Sequence, residues 1–308
     1  WMFNHENNTK TLQSNITAII LTYNEEKHLE RCILSINKFV KKTIIIDSFS
    51  NDETIKIAKK YNAEILQNHF INQSKQFIWG LNNIKITTDW ILKIDADEYF
   101  TENLTKQVVE KLKINDSNIS GISINRKIKF LKKEINFGGT SPHKTLRIWR
   151  NGKGKCEDVW LDEQIIVDGK VFHINENLID DNLNKLSWWV KKHKTYSIRE
   201  AISYLSTKNN SEENMKSSID NPRLKKYLKM KIYYKFPIFI RPILLFLYSY
   251  LIKLGFLNNW QGLVFYILQV LWFRFLVDIN IYQIRKTIKK LNVSLAEAIK
   301  IRYGYEKI

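Results

Sequence analysis

This sequence of 308 residues contains few cysteines and few glycines. The first scarcity argues against a disulfide-rich protein, and the second argues against a protein that binds phosphate through a glycine-rich loop. Two isolated cysteines, Cys32 and Cys156, argue against a disulfide framework and favour a reducing compartment. No C-x-x-C pair or histidine-rich set indicates a zinc site. The sequence contains neither G-x-G-x-x-G after its first predicted strand nor G-x-x-x-x-G-K-[ST] anywhere, so a glycine loop that cradles phosphate is not supported. The polar residues 1–14 lack the apolar segment of a secretory signal.

Short apolar runs alternate with helical patterns at the start of the chain. Strands are predicted over residues 16–21, 43–46, 63–66 and 91–94, and a helical pattern follows each of the first three. This alternation is typical of an α/β fold, with a mostly parallel sheet and helices on both faces. Every strand ends in polar residues, so we expect one edge of the sheet to collect Thr22, Asn24, Asp47, Gln73 and an acidic cluster.

The acidic cluster closes the run W-I-L-K-I-D-A-D-E at Trp90–Glu98. Asp95, Asp97 and Glu98 follow a buried strand, and ligands bind at the carboxyl ends of strands in open α/β sheets. Clustered carboxylates repel one another unless a cation neutralises them, and hard divalent cations prefer oxygen ligands. Mg²⁺ or Mn²⁺ held here would keep open positions for a diphosphate. For D-x-D alone, the alternative is a solvated acidic turn.

Three segments together resemble the nucleotide-diphospho-sugar domain of family 2 glycosyltransferases, which has the GT-A fold: Ile16–Glu26, Ile44–Asp52 and Ile91–Glu98. The closer resemblance is to the bacterial subgroup of lipopolysaccharide-core β-glucosyltransferases and related capsule or exopolysaccharide enzymes. Further similar segments are 72–81, 138–139, 146–150, 161–163 and 178–197. The resemblance covers roughly residues 15–205 and implies a catalytic domain there that binds a nucleotide-sugar donor.

The resemblance also implies roles for individual residues. The segment after the first strand would line the nucleotide, and Asp47 would face a uracil N–H. Asp95, Ala96 and Asp97 match the D-x-D that holds ribose and metal, with Asp95 and Asp97 as the metal ligands. Arg147 would pair with the diphosphate or with one of the carboxylates of Cys156–Glu163, since its planar fork suits either. The other implied donor-site residues are Thr22, Tyr23, Asn24, Glu25, Gln73, Lys75 and Gln76.

An inverting transfer to a hydroxyl needs a base that takes the hydroxyl proton. The family supplies an acidic residue from the second half of the domain, where Cys156–Glu163 holds four carboxylates. Related enzymes have H-E where this chain has Asp162 and Glu163, so Glu163 is the preferred base and Asp162 departs from the pattern. The choice between these two stays open, with Asp158 as a weaker third candidate.

Positive charge is concentrated in the C-terminal part of the chain. Residues 184–308 hold 23 Lys and Arg against 7 Asp and Glu, a net charge of +16 out of +18. The same region contains two apolar runs, Phe236–Leu257 and Trp260–Tyr282, each long enough to cross a bilayer. Four charged residues interrupt them, and we expect Pro237, Pro242, Gly255 and Gly262 to break the helices.

Charges at the centre of a bilayer are unfavourable, so helices that lie in the interface among anionic headgroups are the favoured arrangement. A buried hairpin or a spanning pair is the alternative. A basic, aromatic tail could also bind nucleic acid. Nucleic-acid binders rarely carry two such apolar runs, and no RNA-binding or zinc-finger signature occurs. We therefore expect an anionic membrane surface as a partner and no nucleic acid.

These observations predict a metal-dependent, inverting glycosyltransferase on the cytoplasmic face of a bacterial inner membrane, peripheral or monotopic. It would transfer a hexose from a nucleotide-sugar, with a UDP-sugar as the expected donor, to a lipid-linked glycan such as a lipopolysaccharide core, capsule or exopolysaccharide intermediate. The alternatives are transfer to polyprenyl phosphate and a non-catalytic, membrane-associated sugar-nucleotide-binding protein. The expected organisation is a disordered N-terminus at 1–14, a catalytic domain at 15–205, a linker at 206–222 and a helical, basic, membrane-associating region at 223–308.

Overall fold

The computed structural model describes residues 14–114, 116–158, 163–207 and 232–304. The chain divides into two compact units. The first contains Trp1–Ile135 and Ser141–Leu183, and the second contains Asn136–Thr140 and Asn184–Ile308. The division therefore falls before the boundary expected at residue 205. The predicted N-terminal segment and linker lie almost wholly outside the described residues.

The described residues of the first unit form eleven strands and four helices. Its strands are β1 (Ser14–Thr22), β2 (Val40–Asp47), β3 (Glu64–Gln67), β4 (Trp90–Asp95), β5 (Glu98–Phe100), β6 (Ile119–Phe130), β7 (Lys133–Glu134), β8 (His143–Arg150), β9 (Gly154–Cys156), β10 (Ile165–Val167) and β11 (Lys170–Asp181). Its helices are α1 (Leu29–Ile36), α2 (Thr54–Lys60), α3 (Gln73–Asn83) and α4 (Glu102–Ile114).

Nine of the strands form one sheet in the order β3-β2-β1-β4-β8-β6-β11-β5, with β7 beside β6. The first four strands are parallel, as predicted. Beyond β4 the sheet is mixed, because β8 is antiparallel to both neighbours and β5 is antiparallel to β11. Parallel neighbours need a long crossover, usually a helix, whereas antiparallel neighbours do not. The described segments that connect β6, β8 and β11 contain no such helix.

Both faces of the sheet are covered, which confirms the predicted α/β class. Ile16, Ala18 and Ile20 of β1 pack in the core that also contains the buried residues of α1 and α4. Ile19, on the opposite face, packs with Phe77 of α3 and with Trp149. Successive residues of a strand point to opposite faces, so a continuous apolar run fills both cores.

The second unit is helical. Its elements are α5 (Leu186–Thr207), α6 (Ile240–Leu247), a π-helical turn at Tyr248–Ile252, a 3-10 turn at Gly255–Leu257, α7 (Asn259–Tyr266), a π-helical segment at Ile267–Trp272, α8 (Phe273–Leu291) and α9 (Leu295–Tyr303). Residues of α5, α8 and α9 form its core, including Ile202, Ile281 and Ile299. A capping box of Ser294 and Glu297 starts α9.

The two predicted apolar runs behave differently. The first is interrupted after Ile252, whereas Asn259–Leu291 is one continuous helix of 33 residues. Among the described residues, it is the one helix long and apolar enough to cross a membrane. Pro242 and Gly262 do not break their helices, contrary to the prediction. Pro242 lies in the first turn of α6, where backbone N–H groups have no partner within the helix. A Cβ atom on Gly262 would lie 2.2 Å from the Cβ of Asn258, so glycine is required by a close approach.

Charged residues that interrupt the apolar runs pair inside the second unit. Arg241 of the first run and Asp278 of the second form a buried ion pair, with 2.8 Å between Arg241 Nε and Asp278 Oδ1. The backbone N–H of Phe239 also donates to Asp278, at 2.9 Å. Arg274 pairs with Glu200 of α5. Breaking a buried pair of this kind typically costs about 3–5 kcal/mol, because one charge is left without a partner.

The short segment Asn136–Thr140 belongs to the helical unit through its backbone. The side chain of Asn258 accepts hydrogen bonds from the N–H groups of Asn136 and Phe137, at 2.7 and 3.0 Å. The hydroxyl of Tyr266 donates to the carbonyl of Phe137 at 2.5 Å. Gly138 has a φ of +95°, and a Cβ atom there would lie 1.9 Å from the Tyr266 hydroxyl. Glycine is therefore needed at this position.

Candidate active site

The carboxyl ends of four parallel strands meet at one edge of the sheet. In the strand register, Thr22 lies opposite Asp47, Asp47 opposite Gln67, and Leu21 opposite Asp95. Gln73 at the start of α3 reaches this edge, with 3.4 Å between its Nε2 and Asp95 Oδ1. The structure therefore brings together the residues that the sequence placed at one edge of the sheet.

Asp47 is fully buried, and both of its carboxylate oxygens are engaged. They accept from the Thr22 hydroxyl at 2.9 Å, the Ser50 hydroxyl at 2.5 Å, the Ser50 N–H at 2.8 Å and Gln67 Nε2 at 3.1 Å. These bonds fix the turn after β2. Recognition of uracil by Asp47 stays a prediction, and the geometry gives the residue a structural role that the sequence did not reveal.

The turn after β1 exposes the ring of Tyr23, and the side chains of the next two residues form hydrogen bonds within the protein. Tyr23 is 60% exposed. Asn24 has a left-handed backbone, with φ of +56°, and its side chain accepts from the N–H of Asn51 at 2.9 Å. Glu25 lies 2.6 Å from Nδ1 of the buried His28. Within this turn, Tyr23 is the side chain best placed to meet a ligand.

His28 was not predicted from the sequence. Its Nε2 accepts from the backbone N–H of Leu183 at 2.8 Å, so Nδ1 carries the proton and donates to Glu25. The neutral ring therefore joins the turn after β1 to the end of β11. A histidine in a polar turn was the available signal, but its partner lies 155 residues away in the sequence.

Phe49 is a second residue that sequence reasoning missed. It has a φ of +60°, an unfavourable conformation for a bulky residue, in the turn that follows Asp47. Its ring is partly exposed, and its centre lies 4.4 Å from that of His69. Backbone conformations of this kind concentrate at binding sites. An aromatic residue within an otherwise polar turn was the signal that could have identified it.

The predicted residues of α3 differ in accessibility. The amide of Gln76 is buried and bonded to Asn68 and Ser48, at 2.9 and 3.1 Å, so its role is structural. Lys75 is exposed at the first turn of α3, and its N–H is capped by the Asn72 side chain at 2.8 Å. Positive charge at a helix start suits an anionic ligand. Of the two, only Lys75 is placed to reach a phosphate.

A buried charge network surrounds the D-x-D motif. Glu98 is fully buried; it pairs with Arg147 and accepts from Arg126 Nε at 2.8 Å. Its other oxygen accepts from the N–H of Asp95 at 3.1 Å. Arg147 also pairs with Asp95 at 3.0 Å, and Arg126 pairs with Asp180 at 2.6 Å. The carboxylates that Arg147 pairs with are those of Asp95 and Glu98, whereas the sequence placed its carboxylate partner within Cys156–Glu163.

The network gives neighbouring carboxylates different proton affinities. Burial would raise the pKa of Asp95, but the charges of Arg147, Lys93 and Arg126 outweigh it and hold that pKa below its ordinary value. Burial raises the pKa of Glu98 to about 7, although Arg147 opposes the shift. Asp95 therefore carries the negative charge beside Arg147, and Glu98 holds a proton more readily.

Asp97 has the donor chemistry that a hard divalent cation prefers. It is half-buried, and its Oδ2 accepts from the amide of Asn182 at 3.0 Å. No basic side chain in the described ranges pairs with its carboxylate. Asp95 is already engaged by Arg147, so the geometry favours Asp97 as the metal ligand. The side chain of Ala96 between them is buried in the core.

The described residues contain no group of three or more His, Cys, Asp or Glu side chains arranged to hold a metal ion. A cation at Asp97 would therefore take most of its ligands from a bound diphosphate and water, which Mg²⁺ commonly does. The residues present fit this kind of site and not an all-protein cage.

The preferred base, Glu163, lies in a buried ion pair. Its carboxylate is 2.5 Å from Lys93 Nζ, and both side chains are 6% exposed. Lys93 precedes Asp95 by two residues in β4, so both point to the same face of the sheet. Asp158 is exposed, and Asp162 lies outside the described residues. The base assignment stays a prediction, but Glu163 has a lysine partner that the sequence did not indicate.

Residues 17–160 match the sequence model of the family described as Glycosyl transferase family 2. This part of the chain is therefore similar to family 2 glycosyltransferases, as the resemblance implied. An uncharacterized glycosyltransferase of Rickettsia conorii is 33% identical over 101 residues, which are 32% of this chain and 34% of that protein. The lipopolysaccharide core biosynthesis glycosyltransferase LpsC of Rhizobium meliloti is 26% identical over 160 residues, 51% of this chain and 58% of that protein.

The chain spans about a third of the length of the Rickettsia relatives that it matches. Among solved structures, glucosyl-3-phosphoglycerate synthase from Mycobacterium tuberculosis, in complex with Mn²⁺, UDP and glucosyl-3-phosphoglycerate, is 19% identical. The match covers 37% of this chain and 44% of that chain, with a TM-score of 0.31. That likeness is too slight to carry an argument about the site.

The buried pair of Lys93 and Glu163 generates a stability prediction. Glu163→Gln leaves Lys93 charged and buried, so we expect the first unit to lose about 3–5 kcal/mol of stability. The double variant Lys93→Met/Glu163→Gln should recover most of this loss, since neutral, well-packed replacements for buried pairs are often tolerated. Urea unfolding measures both effects, and Asp158→Asn is the exposed control. Wild-type stability in Glu163→Gln would show that the pair does not form.

Proposed function

We propose that this protein is a metal-dependent, inverting glycosyltransferase that transfers a hexose from a UDP-sugar to a lipid-linked bacterial surface glycan. The observation that carries the proposal is the D-x-D motif at the carboxyl edge of a parallel sheet within a family 2 domain. There, Arg147 fixes Asp95, while no basic side chain of the described residues pairs with Asp97. One carboxylate is held in place and the other is left to meet a cation.

The nucleotide would lie over the turns that follow β1 and β2. Tyr23 and Phe49 present exposed aromatic rings in these turns, and aromatic rings stack on bases. Lys75 at the start of α3 and Gln73 beside Asp95 are placed to contact phosphate or ribose oxygens. Asp47 supports this surface because its carboxylate fixes the turn of residues 47–50.

The reaction forms a glycosidic bond as the bond between the anomeric carbon and the diphosphate breaks. A divalent cation bound at Asp97 would neutralise charge on the departing diphosphate. The acceptor hydroxyl attacks the anomeric carbon, and a carboxylate from the region 156–163 takes its proton. The carboxylate of Glu163 is buried and engaged by Lys93, so it is poorly placed to contact the acceptor hydroxyl. The proposal therefore moves the base role towards Asp162, with the exposed Asp158 as the alternative.

A lipid-linked acceptor is supported by the second unit and by one relative. LpsC is described as a lipopolysaccharide core biosynthesis enzyme. The helical unit exposes many apolar residues from Ile240 to Ile267, and contiguous apolar patches mark partner or lipid contacts. Its strong positive charge suits anionic headgroups. We place the protein on the cytoplasmic face of the bacterial inner membrane.

Transfer to polyprenyl phosphate is the second candidate, and the Lys93–Glu163 pair is the observation that favours it. A phosphate acceptor is already an anion, so the enzyme would need no carboxylate as base. Under this alternative, Glu163 would have a structural role and no catalytic role.

The metal prediction concerns Asp97. Asp97→Asn removes a charge with little change in volume, so it should abolish transfer and remove the Mn²⁺-dependent part of the thermal stabilisation by UDP. Melting temperatures with UDP, Mn²⁺ and EDTA measure this, and a panel of nucleotide-sugars then identifies the donor. Asp89→Asn, an exposed aspartate just before β4, is the matched control. Near-normal transfer by Asp97→Asn in EDTA would contradict the metal role.

The base prediction separates the two acceptor classes. With a hydroxyl acceptor, Asp162→Asn should lower turnover by roughly 10²–10⁴-fold while donor affinity changes little. Glu163→Gln should act mainly on stability, and Asp158→Asn should have the smaller effect. A large loss of turnover in the refolded double variant Lys93→Met/Glu163→Gln would return the base role to Glu163. Normal turnover in all of these variants would favour polyprenyl phosphate.

A further inference from the structure

An open, cationic notch lies on α8. Tyr282, Arg285, Lys286 and Lys289 line this cavity of about 290 Å³. Their spacing of three, four and seven residues places them on one face of the helix. All four side chains are exposed, so the notch is open to solvent. It lies in the second unit and shares no residue with the candidate active site.

Among the described residues, the three cations of the notch have no acidic partner. Elsewhere in the second unit, Arg241 pairs with Asp278 and Arg274 pairs with Glu200. Within the part of the chain that the structure describes, no carboxylate pairs with Arg285, Lys286 or Lys289. Three uncompensated positive charges at one opening attract an anion with several oxygens, and the arginine fork suits a phosphate.

The notch lies near the C-terminal end of a helix whose exposed residues change from apolar to cationic along its length. The continuous helix Asn259–Leu291 begins with exposed apolar residues on one face, Trp260, Leu263 and Ile267, of which Trp260 is 63% exposed. Tyr282, 46% exposed, stands between this apolar part and the cations. Its ring centre lies 6.2 Å from that of Phe239. Apolar, aromatic and cationic residues therefore follow one another, which is the order from the interior of a bilayer to its headgroups.

We propose that the notch binds the phosphate of an anionic phospholipid headgroup. The phosphate oxygens would be contacted by Arg285, Lys286 and Lys289. Tyr282 would lie at the boundary between the acyl region and the headgroups, with its ring towards the acyl chains and its hydroxyl towards water. The exposed residues near Trp260 would enter the acyl region. This inference rests on the proposed membrane association, and it names the residues that set the depth of the helix.

Vesicle co-sedimentation of the full-length chain tests the notch. The triple variant Arg285→Gln/Lys286→Gln/Lys289→Gln should bind vesicles of phosphatidylglycerol and phosphatidylcholine more weakly by on the order of a hundredfold, from about 1 kcal/mol per charge near the surface. The control Lys59→Gln/Lys106→Gln/Lys113→Gln removes the same charge from exposed positions of the first unit and should bind nearly as wild type. Both variants should keep the circular dichroism of the wild type.

The outcomes distinguish the notch from its alternatives. Equal weakening in both triple variants would mean that net charge alone acts, and unchanged binding in the notch variant would also overturn the assignment. Release from vesicles by inorganic phosphate, but not by chloride at equal ionic strength, would make the notch a free-phosphate site instead. If the wild type ignores anionic vesicles at low salt, membrane association itself fails, whatever the donor experiments show.

Discussion

The buried carboxylate of Glu98 is the group on which the geometry of the candidate site depends. It is the first residue of β5, yet its oxygens contact Arg126 of β6, Arg147 of β8 and the backbone of Asp95 at the end of β4. Each arginine then holds a second carboxylate, Asp180 or Asp95. The D-x-D motif is therefore positioned by charges from several strands, whereas the carboxylate of Asp97 accepts from the amide of Asn182. A buried arginine that lost this carboxylate would be left partly uncompensated, so the network acts as one unit.

Both units contain buried ion pairs in which a charged residue of one segment is neutralised by an opposite charge from a second segment. Lys93 of β4 meets Glu163, and Arg241 of α6 meets Asp278 of α8. Each pair joins segments that are distant in sequence, so it specifies which elements pack together as well as offsetting burial. Hydrophobic contacts alone are less selective, because apolar side chains of similar size replace one another readily.

The sequence was most informative where chemistry follows from local pattern. The short, continuous apolar runs predicted β1 to β4, and the acidic residues after β4 identified the site edge. Pairing partners were beyond its reach: nothing near Asp47 shows that four donors will fill its oxygens, and nothing near Glu163 points to Lys93, 70 residues away. The left-handed turn at Phe49 was also invisible, because bulky residues rarely adopt it. Likewise, Pro242 and Gly262 were misread as helix breakers because their effect depends on position within the turn and on a neighbour's side chain.

The hydrogen bonds of Asn258 to the backbone at Asn136 and Phe137 make the two units topologically interleaved. The polypeptide enters the helical unit for five residues, returns to complete β8 to β11, and re-enters at Asn184. A gene shortened at Leu183 would encode every strand of the sheet but would leave an internal segment without its native partners. During synthesis, that segment must likewise wait until Asn258 and Tyr266 emerge from the ribosome. The native contacts of this internal segment therefore form only after the helical region has been synthesised.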